Sequence, residues 1–214
     1  MNLTPQKLSI VFIFMLFLQS CEGPSVTFDE PQPADTENLN AFPEKLQGQY
    51  ENMSNNSTLQ IDKTTISKIY DYDIKTSIKQ LDSTCKLIND TLIDLETREK
   101  APVKKDGDTL LAHIHSIDTL FSISQTNILK KFKGYYFANS TYGKGDWVVK
   151  KLAIHKGELR INSISEKEDI DKLKSISESD IDSVPYQFHP TKRQFKKFLK
   201  AEGFSDTEVF EKIK

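Results

Sequence analysis

Apolar and polar residues alternate along the middle of the chain, and this pattern predicts β-strands. Side chains two apart on a strand share one face, so alternation bounded by polar or Gly-bearing breaks is typical of antiparallel strands. Asp106-Gly107 and Lys156-Gly157 supply close turns. The strands predicted in this way are 57–62, 66–74, 90–95, 108–115, 118–123, 134–138, 147–154 and 158–164. Short strands with close turns predict an antiparallel meander over 43–164, closing as a barrel or a sandwich to remove exposed edges.

The apolar period changes to that of helices after residue 164. Ile170 and Leu173 share one side of a short segment, 165–175. Thr191 and Gln194 form a capping box before an apolar stripe, and the box pattern recurs at 205–208. We therefore expect 165–214 to form two or three short helices packed on the β domain. The outer face of the helix after Thr191 is basic, which predicts a solvated face or, alternatively, contact with anionic lipid or an acidic partner; its residues are Lys192, Arg193, Lys196, Lys197 and Lys200.

The chain begins with the features of an export signal. Lys7 precedes an apolar run, 8–18, that is shorter than the roughly 20 residues needed to cross a bilayer. The next residues, Leu18-Gln19-Ser20-Cys21, resemble the lipobox of bacterial lipoproteins. The resemblance implies that 1–20 is a cleaved signal peptide and that Cys21 carries acyl chains that anchor the protein to a membrane. The alternative is an ordinary signal peptide with an incidental cysteine.

The lipobox resemblance also implies an address in the cell envelope. We expect the outer membrane rather than the inner one, with the mature protein facing the periplasm or the cell surface. Residues 21–42 contain Pro24, Pro31, Pro33 and several acids. Because such a composition buries little apolar surface, it predicts an extended, acidic tether.

The net charge and the number of cysteines bear on nucleic-acid binding and on disulfide formation. The formal net charge of -2 gives no support to nucleic-acid binding, which favours a basic face. The chain has two cysteines, and with Cys21 lipidated Cys85 has no intramolecular disulfide partner. A buried, inert thiol is the favoured interpretation of Cys85, and a nucleophile is the alternative.

Two histidines form the best candidate for a chemical site. His113 and His115 are two apart on a predicted strand, so both imidazoles share one face, as do Asp71 and Asp73 on another strand. Two imidazoles on one face can begin a zinc or copper site, whose further ligand would be His155, His189, Asp118 or Cys85. An outward-facing polar pair is the favoured interpretation. Because the chain has no nucleophile elbow, phosphate loop or Cys-x-x-Cys motif, we predict neither enzyme activity nor a cofactor.

Two short patterns carry further resemblances. Gly48-Gln49-Tyr50 resembles the Gly-x-aromatic first strand of lipocalin-like barrels, including lipoproteins of Bacteroidota type, with Tyr in place of Trp. This resemblance implies a lipocalin-like fold. Tripeptides such as Asp90-Thr91-Leu92 resemble the O-glycosylation site of Bacteroidota-type exported proteins, but a turn followed by the start of a strand is the favoured interpretation.

These observations together favour a binding role at a membrane. We expect a lipid-anchored envelope protein, non-catalytic, that binds a small apolar ligand or an envelope protein partner. The competing hypothesis is an envelope hydrolase or metal-binding protein that uses the His113/His115 face.

Overall fold

A computed structural model describes residues 23–52, 57–96, 98, 100–178 and 182–213. The predicted signal peptide and Cys21 lie outside these residues. The chain divides into two compact units, a smaller one at Tyr70–Ser116 and a larger one that comprises Gly23–Ile69 and Ile117–Lys214. Among the residues that can be described, no helix has the length and apolar character needed to cross a bilayer.

The structure is mainly antiparallel β, which confirms the class that the alternation predicts. Its helices are α1 (Lys167–Ser177) and α2 (Lys192–Lys200), with 3-10 turns at Glu44–Leu46 and Ile78–Gln80. The strands are β1 (Val26–Phe28), β2 (Asn38–Leu39), β3 (Gly48–Asn52), β4 (Ser57–Ile61), β5 (Thr65–Ser77), β6 (Cys85–Ile88), β7 (Thr91–Asp94), β8 (Lys100–Asp106), β9 (Thr109–Ser122), β10 (Asn127–Phe132), β11 (Tyr135–Tyr142), β12 (Asp146–His155), β13 (Glu158–Ser163), β14 (Tyr186–Phe188) and β15 (Asp206–Lys212).

The larger unit packs apolar clusters on both faces of its sheet. Its strands follow the order β2-β10-β11-β12-β13-β15-β3-β4. Tyr136 and Leu152 lie on one face within a cluster that also contains Tyr50. Phe137 points to the other face because it is one residue from Tyr136, and it packs with Phe195 of α2. Both helices contribute to this second cluster, so the amphipathic pattern of 165–200 correctly predicts helices that cover the sheet.

The smaller unit is built from the strand order β5-β9-β8-β7-β6. Its apolar cluster contains only three buried residues, Val103, Leu110 and Ala112. Asp106 pairs with Thr109, so the two-residue turn is formed by Gly107 and Asp108, one residue later than the Asp106-Gly107 turn that the sequence predicts, with Gly107 at φ 59°.

Closure into a lipocalin-like barrel, which Gly48-Gln49-Tyr50 led us to expect, is not shown. The order of the described strands starts at β2 and ends at β6, with no ladder between these two. An open antiparallel meander or a sandwich fits this order. Tyr50 is fully buried, and its hydroxyl donates to the Leu46 carbonyl at 2.9 Å.

The prediction of an extended tether over 21–42 is wrong for its described part, 23–42. β1 pairs in parallel with β14, and Phe28 is 1% exposed. Gln32 is fully buried, with its backbone N–H donating to Asn139 Oδ1 at 2.6 Å. Composition failed here because these partners lie more than 100 residues away along the chain, and local hydropathy carries no information about them.

Two further predictions are corrected. The third helix, expected from the box at 205–208, is instead β15, which pairs with β13 and β3 inside the sheet. The two strands predicted at 108–115 and 118–123 are one continuous strand, β9. The polar residues Ser116 and Asp118 suggested a break, but an exposed face accepts polar side chains without a turn.

Candidate functional site

The two histidines meet the two aspartates on one face of the smaller unit. β5 and β9 are neighbouring strands, and residues two apart on each share a face. His113 Nδ1 lies 3.0 Å from Asp73 Oδ1, and His115 Nδ1 lies 3.1 Å from Asp71 Oδ2. His113 Nε2 is also 3.5 Å from Asp71 Oδ1. Asp71 therefore lies between the two imidazoles, a contact that no spacing along the chain predicts.

The hydrogen bonds orient both imidazoles. When Nδ1 donates its proton to a carboxylate, Nε2 keeps the lone pair that binds a metal or accepts a proton. The His113 and His115 side chains are 61% and 53% exposed, so water screens their attraction to the aspartates. This arrangement can present imidazole nitrogens to solvent, but it does not enclose a substrate.

The other predicted metal ligands have separate environments. His189 Nδ1 lies 2.9 Å from Asp29 Oδ2 in the larger unit. His155 ends β12 in its hairpin with Glu158, Asp118 lies within β9 and Cys85 begins β6. In the described ranges, no three His, Cys, Asp or Glu side chains are grouped as a metal site.

Cys85 is half-buried, with its sulfur 3.8 Å from the Thr84 hydroxyl. Burial raises the pKa of the thiol, the Thr84 hydrogen bond lowers it, and the Asp82 and Asp94 carboxylates raise it again. Because the thiolate is the nucleophilic form, this environment supports the interpretation of Cys85 as unreactive.

The basic helix α2 uses part of its charge internally. Phe195 and Phe198 are fully buried, while Arg193, Lys197 and Lys200 are exposed. Lys192 Nζ donates to the Asp35 carbonyl at 2.6 Å, so this lysine joins α2 to the N-terminal segment. The remaining charges match the predicted solvated face.

An apolar sheet face of the smaller unit is the feature that sequence reasoning missed. Cross-strand pairs place Leu87 opposite Leu92, and Leu92 opposite Ala101, so the three share one face. They are only partly buried beside the small core of this unit, as are Ile74 and Ile114. Tyr72, two residues from Ile74, is 40% exposed. In the sequence, the polar pair Asn89-Asp90 between the apolar residues of 87–92 could have predicted the turn that joins β6 and β7.

Comparison with known proteins adds no family to these observations. Neither the protein-family models, nor the curated proteins, nor the solved structures contain a match to this chain.

Proposed function

We propose that this chain is a lipid-anchored protein of the cell envelope that binds a protein partner and carries out no catalysis. Acylation of Cys21 in the lipobox-like sequence would provide the anchor. The partly exposed apolar face of the smaller unit would provide the binding surface. The incomplete burial of that face supports the proposal of a partner.

Packing in the larger unit favours a protein partner over a ligand held inside the sheet. Its interior side chains include Tyr50, Phe42 and Phe210, each no more than 1% exposed. Phe42 and Phe121 stack edge-to-face with ring centroids 5.9 Å apart. An apolar ligand in this region would have to displace side chains that already contact each other.

In contrast to the filled interior of the larger unit, the smaller unit leaves apolar side chains partly exposed. It has the apolar face described above and a strand, β6, at the end of its strand order. Partly buried aliphatic side chains beside an exposed aromatic one, Tyr72, form a surface of the kind that protein interfaces cover. A partner with complementary apolar side chains would remove this surface from water.

Site-specific photo-crosslinking in the native host tests the proposed surface. A photoreactive phenylalanine analogue replaces Tyr72 in one variant and Leu111 in the other. Both residues are 40% exposed, and Leu111 lies on the opposite sheet face because it alternates with Leu110. We expect a discrete protein adduct at position 72 and none at position 111. Equal adducts at both positions, or none at either, would contradict the proposed surface.

The anchor requires a separate test. In a host with lipoprotein processing, the native chain should lose 1–20 and gain the mass of the acyl groups on Cys21, and it should sediment with membranes. Cys21→Ser should abolish the added mass and release the protein. A membrane-bound Cys21→Ser variant of unchanged mass would refute acylation.

The orientation of the two imidazoles favours a second candidate, metal binding at the His113/His115 face. The Asp71 carboxylate at Nδ1 leaves Nε2 of His115 for the metal, whereas a metal on His113 Nε2 would lie beside Asp71 Oδ1, which is 3.5 Å from that nitrogen. Further ligands would come from outside the described residues. Zinc titration by calorimetry should then show binding that His113→Ala/His115→Ala abolishes and His155→Ala retains. An unaltered isotherm in the double variant, or no heat in the native protein, would refute this candidate. The hydrolase version additionally needs a nucleophile or a bound water, and the hydrogen-bond partners of the two imidazoles are carboxylates.

A further inference from the structure

We infer that the surface around Gly23, formed by Tyr142, Val184 and Lys144, is the face of the larger unit that rests on the lipid bilayer. This inference depends on the proposed acylation of Cys21. It assigns an orientation to the anchored protein, which the presence of an anchor alone does not specify.

Only a short stretch of chain separates the residue proposed to be acylated from the folded unit. Cys21 precedes Gly23 by two residues, which span at most about 7 Å of extended chain. Gly23 lies against Tyr142, since an added Cβ would collide with the Tyr142 hydroxyl. The Ser25 carbonyl accepts from the Tyr186 backbone N–H at 2.9 Å. Because the chain is fixed to the unit from its first described residues, acyl chains in the bilayer would bring this surface to the headgroups.

The surface exposes an aliphatic and an aromatic side chain. Val184 is 66% exposed and Tyr142 is 41% exposed. Val26 pairs with Tyr186 in parallel register, which places Val184 at the same end of the β1/β14 pair as the chain before β1. Tyrosine is enriched where a membrane meets water, because its ring is apolar and its hydroxyl is polar.

Charges around the surface identify the kind of lipid. Lys144 is exposed in the turn that follows Tyr142, and Lys174 Nζ lies 4.2 Å from the centre of the Tyr186 ring. Acidic groups offset them, since Asp182 is 4.0 Å from Lys174 and Asp146 accepts from the Gln187 amide at 2.6 Å. The surface therefore has no strong excess of positive charge. Because it does not depend on anionic lipid for attraction, we expect it to contact the interface of a zwitterionic bilayer.

Lipid quenching of tryptophan fluorescence tests the orientation. Trp147 is the one tryptophan of the chain, so Trp147→Phe gives a background without tryptophan. Tyr142→Trp is compared with Tyr135→Trp, which is 38% exposed at the other end of β11 and about 23 Å away by strand rise. The full acylated chain is placed in phosphatidylcholine vesicles that contain lipid brominated near the headgroup. We expect quenching several times stronger at position 142 than at position 135.

The outcomes separate this inference from the proposed anchor. Equal quenching at both positions, or stronger quenching at 135, in protein that carries the acyl mass and sediments with vesicles overturns the orientation and leaves the anchor intact. Failure of the native chain to carry acyl groups or to sediment with vesicles overturns both. Circular dichroism of the two variants, each an aromatic-for-aromatic change, confirms that the compared proteins are folded.

Discussion

Lys130 holds the N-terminal segment against the larger unit. This lysine is 6% exposed, and its ammonium donates to the Pro31 and Pro33 carbonyls at 2.8 and 3.0 Å. Lys130→Met would leave two carbonyls without their donor, so we expect the free energy of unfolding to fall by about 2 kcal/mol in urea denaturation. Lys131→Met, at the exposed neighbour, should change it by less than about 0.5 kcal/mol. Equal effects of the two substitutions would contradict this role.

Burial of Lys130 also makes its contribution to the free energy of unfolding depend on pH. It lowers the pKa of the ammonium, while the Glu30 and Asp35 carboxylates raise it and Lys192 lowers it. Between the lowered pKa and the ordinary lysine value of about 10.4, the unfolded chain binds more protons than the folded one. The Lys130 contribution to the free energy of unfolding should therefore rise with pH in this window. We therefore measure the free energy of unfolding of the native protein and of Lys130→Met by urea denaturation at several pH values. The difference between the two should rise with pH in this window, and a difference that falls with pH would contradict the lowered pKa.

The raised pKa of Cys85 has a consequence for its reactivity. Because burial is its main cause, we expect iodoacetamide to alkylate Cys85 more slowly at pH 8 than it alkylates the same residue in urea-unfolded protein. Mass spectrometry of the modified peptide over time measures both rates. Faster alkylation in the folded protein would instead favour the nucleophile interpretation.

Two similar sequence patterns produce different elements, and long-range contacts decide between them. Thr191 accepts from the Gln194 backbone N–H and begins α2, as the capping box predicts. Ser205 instead donates its hydroxyl and backbone N–H to Asp169 of α1 at 2.8 and 2.6 Å, and the chain continues as β15. Local spacing cannot distinguish the two cases, since the partner of Ser205 is 36 residues away.

The environment of Asp169 gives a test at the scale of these elements. Its carboxylate is fully buried, so Asp169→Ala should lower the free energy of unfolding by about 2–3 kcal/mol through the loss of two charge-assisted hydrogen bonds. Glu208→Ala should be nearly neutral, because Glu208 is exposed on β15 rather than part of a capping box. Denaturation of both variants measures the contrast, and a large effect at Glu208 with a small one at Asp169 would support the helical alternative.

At the scale of the whole molecule, alternation predicted the strand-rich middle of the chain but not the order of its strands. Tyr72 of β5 and Leu92 of β7 both belong to the apolar face of the smaller unit. Two strands, β9 and β8, lie between theirs in the sheet, and this order depends on contacts between residues distant in sequence. The His113/His115 pair was found because residues two apart share a strand face. Asp71 was not predicted as their common partner, because the sequences of β5 and β9 do not show how these two strands are aligned.

The unequal cores of the two units predict unequal stability. Of the residues described, three form the buried cluster of the smaller unit, whereas fourteen and ten form the two clusters of the larger. Since opening free energy follows buried apolar contacts, amides of β6–β8 should exchange with deuterium faster than those of β11–β13. Exchange measured by mass spectrometry on the native chain gives both rates.

Substitution of one core leucine in each unit extends this test. Leu110→Ala should remove protection from β6–β8 and leave the urea transition of Trp147, which lies in the larger unit, nearly unchanged. Leu129→Ala, at a residue that is 0% exposed, should shift the Trp147 transition by about 2–5 kcal/mol. A Trp147 transition that moves equally in both variants would mean that the two units unfold together. If they unfold separately, a partner that covers Tyr72 and Leu92 would stabilise the smaller unit selectively, and its amides would gain protection on binding.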